Sequence, residues 1–153
     1  MISFKIRDSL DVYGARKALA ELAQQLGFPT RDRAELAIVI SELCSNIVKY
    51  GVHGRVELEP VLDARLGVGV AIVAHDVGPP FRDLKMAMLD GYDDQGPIDP
   101  GVLMKRAGLG IGLGAVRRLS DSISVEYVPD GKAIRVVRYL KRPPRRSTLP
   151  PAR

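Results

Sequence analysis

The sequence predicts an α/β two-layer sandwich, with one mixed sheet and helices covering one of its faces. Three observations predict it. Two long segments, near 11–26 and 30–50, repeat apolar residues at three-four spacing, the mark of a helix with one buried side. Five shorter segments, near 2–7, 54–61, 66–75, 122–128 and 132–140, are β-rich and bounded by turn residues. Each kind of element has an apolar side that is stable only against another element, so helices layered on a sheet satisfy both.

Ile2, Phe4 and Ile6 alternate with Ser3, Lys5 and Arg7, the pattern of a half-buried strand. Asp11 is the expected N-cap of the first helix, whose stripe is Val12, Ala15, Leu19, Leu22 and Leu26; Gly27 and Pro29 end it. Thr30 is the expected cap of the second helix. Its apolar stripe is Leu36, Ile40, Leu43, Ile47 and Tyr50, and Gly51 ends it. Beside that stripe runs another: Glu35, Val39, Glu42, Asn46 and Lys49. Arg55–Leu62 and Leu66–His75 read as a hairpin turning at Asp63-Ala64, with the second strand almost wholly apolar and therefore central.

Phe81–Leu89 reads as a short helix. Gly91–Gly101, rich in glycine, proline and aspartate, reads as a lid or insert. Ala115–Leu119 is helical, within a helix near 113–120. Ser122–Val128 and Lys132–Leu140 close as a hairpin on Pro129-Asp130-Gly131.

Composition narrows the class. The chain has 153 residues, 46% apolar and 27% charged, which suits one soluble globular domain over residues 1–140. No stretch is long enough to span a bilayer, and no signal peptide is visible. Cys44 is the lone cysteine, which excludes an internal disulfide, suits the cytoplasm and reads as a buried structural thiol. With only His53 and His75 beside it, a structural zinc site is not expected. The net charge of +5 resides in the tail KRPPRRSTLPPAR, residues 141–153, read as disordered; the remaining 18 basic residues balance 18 acidic ones. A nucleic-acid partner is therefore not expected for the folded part.

The glycine run Gly108, Gly110, Gly112 and Gly114 alternates with apolar residues and opens into a helical stretch. Glycine permits positive φ and close approach of backbone N–H groups, so such a run can seat phosphates. Alone, it is as readily a flexible turn. Glu42 and Asn46 lie four apart on one helix face, and Lys49 continues that face. An amide oxygen can ligate a hard cation, an ammonium can neutralise phosphate, and a carboxylate can accept a proton. Alone, the same stripe is a solvated helix face. Asp76 ends the apolar strand, with Gly78 two residues on. It can accept a hydrogen bond from an exocyclic amine, or simply start a turn.

In order, SELCSNIVKYG, AIVAHDVGPP and GLGIGLGAVRRL resemble the N box and the two glycine boxes of the GHKL (Bergerat) ATP-binding fold, shared by gyrase and histidine kinases. The length and MLDGY after the first glycine box look most like the RsbT-type serine/threonine switch kinases and small anti-sigma factor kinases. The resemblance covers nearly all of residues 1–140. It implies a mainly antiparallel sheet, with ATP and Mg2+ as cofactors. It implies that Asn46 ligates magnesium and that Glu42 is the catalytic carboxylate. It implies further that Lys49 touches phosphate, that Asp76 reads the adenine amino group beside Gly78, and that Gly108, Gly110 and Gly112 wrap the triphosphate.

The implied partner is a STAS-domain antagonist phosphorylated on serine or threonine; further partners are a PP2C-type phosphatase, another output protein or a sigma factor. Three departures stand out: Pro80 replaces a second glycine, Lys132 and Ala133 stand where the family often has a threonine, and Tyr92–Ala107 is long. Pro80 and Ala133 motivate the alternative of a non-catalytic module that sequesters a sigma factor or STAS partner. A dinucleotide-binding match on Gly110, Gly112 and Ala115 fails on position, because only two short strands follow it.

Overall fold

A computed structural model describes residues 1–50, 53–77, 92–93, 96–97 and 112–141. The element order is β1 (Ile2–Lys5), α1 (Ser9–Gln25), α2 (Thr30–Tyr50), β2 (Arg55–Asp63), β3 (Gly67–Asp76), β4 (Tyr92–Asp93), β5 (Gly96–Pro97), α3 (Leu113–Arg118), β6 (Ser122–Val128) and β7 (Gly131–Tyr139). One five-stranded sheet runs β1-β2-β3-β7-β6, and every pairing in it is antiparallel. β3 is central, as its unbroken apolar run implied. β4 and β5 form a separate two-stranded ladder, so part of the expected lid carries strand pairing.

Strand parity sets the two faces of the sheet. Val56, Leu58, Val70, Ile72, Ala74, Ile134 and Val136 point to the helices and are buried. They form one core with Ala15, Leu19 and Ala23 of α1, with Leu36, Ile40, Leu43 and Ile47 of α2, and with Leu113 and Val116 of α3. Full burial of each Leu, Ile or Val contributes roughly 1.5–3 kcal/mol. Phe28, in the link between α1 and α2, is also in this core. The opposite face is laced by ion pairs. Arg135 reaches Glu59 at 2.6 Å across the central strand, and His75 lies 3.1 Å from Glu57.

Two helix starts differ from expectation. The N-cap of α1 is Asp8, which accepts from the backbone N–H groups of Leu10 and Asp11. Asp11 lies inside the first turn and pairs with Arg7 at 3.0 Å. The stripe starts at Val12 because Leu10, although helical, is 76% exposed. Thr30 is the first residue of α2 rather than its cap, and its hydroxyl accepts from Arg33 Nη2 at 3.1 Å. At the first hairpin, Asp63 Oδ1 accepts from the N–H groups of Arg65 and Leu66, which fixes the turn over residues 64–66. Those two bonds hold its carboxyl below the usual range. The short helix expected at Phe81–Leu89, the end of α2 at Gly51, the Tyr50 side chain and residues 142–153 of the tail lie outside the described residues.

Candidate active site

The second stripe of α2 is not a solvated face. Val39 and Glu42 are each 1% exposed, Asn46 is half-buried, and only Lys49 at the last turn is exposed. A carboxylate is almost never placed at such depth without polar company. Glu42 is therefore held by the fold in a site, one helical turn before Asn46.

Packing places the two ends of this stripe. Gly54 sits so close to α2 that an added Cβ would lie 1.9 Å from Ile47 Cγ2. The last two turns of α2 are thereby set on the start of β2. Arg55 of β2 pairs with His75 of β3, and Asp76 is the next residue. Asn46 and Asp76 thus occupy the same rim of the sheet.

The opposite end is fixed by Arg138, which is 2% exposed. Its Nη2 donates to Asp32 Oδ1 at 2.9 Å, and its Nη1 donates to the Leu119 carbonyl at 2.9 Å. Nη1 also lies 2.6 Å from Glu35 Oε2 as an ion pair. One guanidinium therefore ties β7 to the first turns of α2 and to the residue that ends α3. Lys132 and Arg138 lie about 20 Å apart along β7. Gly112 has φ 73 and ψ −155, a conformation open essentially to glycine alone, and it is buried. The helix behind it has six residues, much shorter than a helix with a substantial macrodipole.

At the rim, Asp76 meets a residue that sequence reasoning noted only as a replacement. Lys132 lies directly opposite Asp76 in the β3–β7 register, and its Nζ donates to Asp76 Oδ1 at 3.0 Å. Both side chains are nearly enclosed, at 6% and 8% exposure. Gly131 makes this approach possible, since a Cβ there would lie 2.0 Å from the Asp76 carbonyl oxygen. Ala133 lies on the other face of β7.

The structure therefore places Asn46, Lys49 and Asp76 at the same end of the sheet, with Glu42 one helical turn further back on α2 and Gly112 just before α3. Gly78, Gly108 and Gly110, with Pro80, lie outside the described residues. Sequence reasoning missed Arg138 as an organising residue, although its parity with Ile134 and Val136 points it inward. Among the described residues there is no cluster of three or more His, Cys, Asp or Glu side chains able to hold a metal, and no helix long and apolar enough to cross a membrane. Cys44 is fully buried, and burial pushes its thiol up to about 12, which leaves it without thiolate character.

Similarity in sequence to known proteins identifies the family. A family model described as histidine kinase-like ATPase domain matches residues 7–138. The chain is 35% identical over 138 residues to the serine/threonine-protein kinase RsbT of Bacillus subtilis (strain 168), covering 90% of this chain and 95% of that protein. A solved histidine kinase domain from the Erythrobacter litoralis EL346 blue-light activated histidine kinase aligns over 89% of this chain and 64% of its own, at 13% identity and a TM-score of 0.48. The chain belongs to the histidine kinase-like ATPase domain family and, by its identity to RsbT, to the RsbT-type serine/threonine-protein kinases within it.

Proposed function

We propose that this kinase transfers the γ-phosphoryl group of ATP to a serine or threonine hydroxyl of a STAS-domain antagonist in a partner-switching module. The observation that carries the reading is the enclosed Glu42 one turn before Asn46, on a helix whose end shares a rim with Asp76. ATP would supply the phosphoryl group, and Mg2+ held with the help of Asn46 would neutralise the charge that develops on its phosphates.

The chain's own residues divide the remaining work. Asn46 offers an amide oxygen to the cation. The described residues hold no carboxylate cage, so the other ligands would be phosphate and water oxygens, as is usual for magnesium. Lys49 neutralises phosphate charge. Glu42, kept out of water, orients the acceptor hydroxyl and takes its proton. Asp76 accepts from the exocyclic amine of the base, with Gly78 beside it. Gly108, Gly110 and Gly112 wrap the triphosphate; the Gly112 backbone angles suit a chain turning tightly at a ligand. Phosphorylation adds about −1.5 to −2 charges to the partner surface and would loosen the complex. A released kinase could then engage a PP2C-type phosphatase, another output protein or a sigma factor.

The test is Glu42→Ala against wild type, with titration calorimetry for Mg-ATP and transfer of labelled phosphate to a STAS-domain protein from the same organism. ATP affinity should be largely kept, while transfer falls by about 10²–10⁴-fold. Equal transfer rates would remove Glu42 from the chemistry. One observation favours a second reading, a module that sequesters its partner without transfer: the Asp76 carboxylate already holds Lys132. That reading expects no Mg-ATP binding, together with a partner complex indifferent to nucleotide.

A further inference from the structure

Lys132 has the parity of Ile134 and Val136 on β7, and Asp76 has that of Ile72 and Ala74 on β3. Both side chains therefore leave the sheet on the side that carries the helices, and both residues belong to the strands themselves. The close approach of Gly131 to the Asp76 carbonyl locks the two strand ends together. The carboxylate and the ammonium are thus presented 3.0 Å apart by a firm support, nearly out of water. A pair at this depth adds little net stability, because apolar residues of similar volume often do as well. What it offers instead is a charged acceptor beside a charged donor. A carboxylate with two oxygens and an ammonium with three donors can each serve several partners at once.

The kinase's own nucleotide contains two kinds of group that could meet this pair. A phosphate would reach the ammonium only beside a carboxylate of its own sign, which opposes it. The base edge fits both members. In adenine the exocyclic amine is a donor, and a ring nitrogen with an acceptor lone pair flanks it on either side, N1 on one and N7 on the other. Where Asp76 accepts from the amine, an ammonium bonded to the same carboxylate stands beside that amine. Whichever way the base is turned, the adjoining ring atom is an acceptor. We infer that Lys132 is a specificity-determining residue of the nucleotide site, donating to the ring nitrogen beside the adenine amino group while Asp76 accepts from that group. The inference rests on the proposed role of Asp76 as reader of the amine. Its added content is a second, charged contact to the base, made by a residue of β7. A hydrogen bond from a charged donor in a dry site is about twice as strong as a neutral one, so its loss is measurable.

The test is titration calorimetry of the full chain, in magnesium, with ATP, 1-deaza-ATP, 7-deaza-ATP and purine riboside triphosphate. Wild type should bind one of the two deaza nucleotides at least about tenfold more weakly than ATP, because the enclosed ammonium then faces a C–H group. Purine riboside triphosphate keeps both ring nitrogens and lacks the amine, so it should lose affinity through Asp76. Lys132→Met should bind ATP and the disfavoured deaza nucleotide alike, a loss of discrimination that a purely structural role does not produce. The wild-type series needs no variant, so it decides the matter even if Lys132→Met does not fold. Two outcomes would overturn the inference and leave the Asp76 reading standing: both deaza nucleotides binding wild type like ATP, or discrimination kept in Lys132→Met. Purine riboside triphosphate binding like ATP, or no nucleotide binding at all, would overturn the Asp76 reading and this inference together.

Discussion

Asp76→Asn removes one charge from a pair whose partners are 8% and 6% exposed, and it leaves the Lys132 ammonium enclosed beside a neutral amide. Breaking a buried ion pair from one side costs about 3–5 kcal/mol, because the remaining charge stays desolvated. Lys132→Met should also destabilise, since it takes the ammonium away from the enclosed Asp76 carboxylate. The double variant removes both charges, and such replacements are often close to neutral. Urea unfolding of the four proteins should therefore give a coupling of at least about 2 kcal/mol, with the double variant more stable than either single one. Titration of the double variant with Mg-ATP then separates folding from recognition: a folded protein that no longer binds nucleotide is the outcome expected if Asp76 reads the base as proposed, and unchanged binding would remove Asp76 from that role. Single-variant costs that add within about 0.5 kcal/mol would refute the pair as an energetic unit.

Three further outcomes follow from packing and charge. Gly131→Ala should cost about 1–3 kcal/mol in urea unfolding, because the atoms its Cβ meets are the backbone of Asp76 and Val77; an unchanged midpoint would mean that the hairpin yields. Burial raises the Glu57 pKa, but hydrogen bonds from Arg55 and His75 outweigh it and hold the group below its usual 4.5. Its stabilising effect is full above that value and is lost as pH falls through the lowered pKa. Glu57→Gln should therefore flatten the acid limb of a stability–pH curve below about pH 4.5, and identical limbs would count against the pairing. Cys44 should resist a thiol reagent at pH 8 in the native protein and react fully in urea; rapid native labelling would contradict its burial.

Periodicity made most of the fold legible. The stripes of α1 and α2 and the alternation in β1 follow from burial on one side, and that pattern survives in a single sequence. Turn chemistry was equally legible at Asp63 and at Pro129-Asp130-Gly131. Helix starts were less so. An exposed Leu10 carries no periodic signal, so the first helix reads three residues late and its cap is assigned to Asp11 instead of Asp8. The α2 face bearing Glu42 and Asn46 could be listed from spacing, but not its depth, because burial of α2 depends on elements from later in the chain, among them β3 and α3. The Asp76–Lys132 pair needed the β3–β7 register, which a hairpin pattern alone does not supply.

The Arg138 clamp gives the molecule a spine. β7, α2 and α3 are bound together at the end remote from Asn46 and Asp76, and β7 and α2 extend between that fastening and the rim. They reach it much as the pages of a book reach their free edge. The spacing of that edge is then set from both ends, by the binding and by the contacts of Lys132 with Asp76 and of Gly54 with Ile47 at the edge itself. A side chain distant from Asn46 and Asp76 thus helps to govern how far apart they are held.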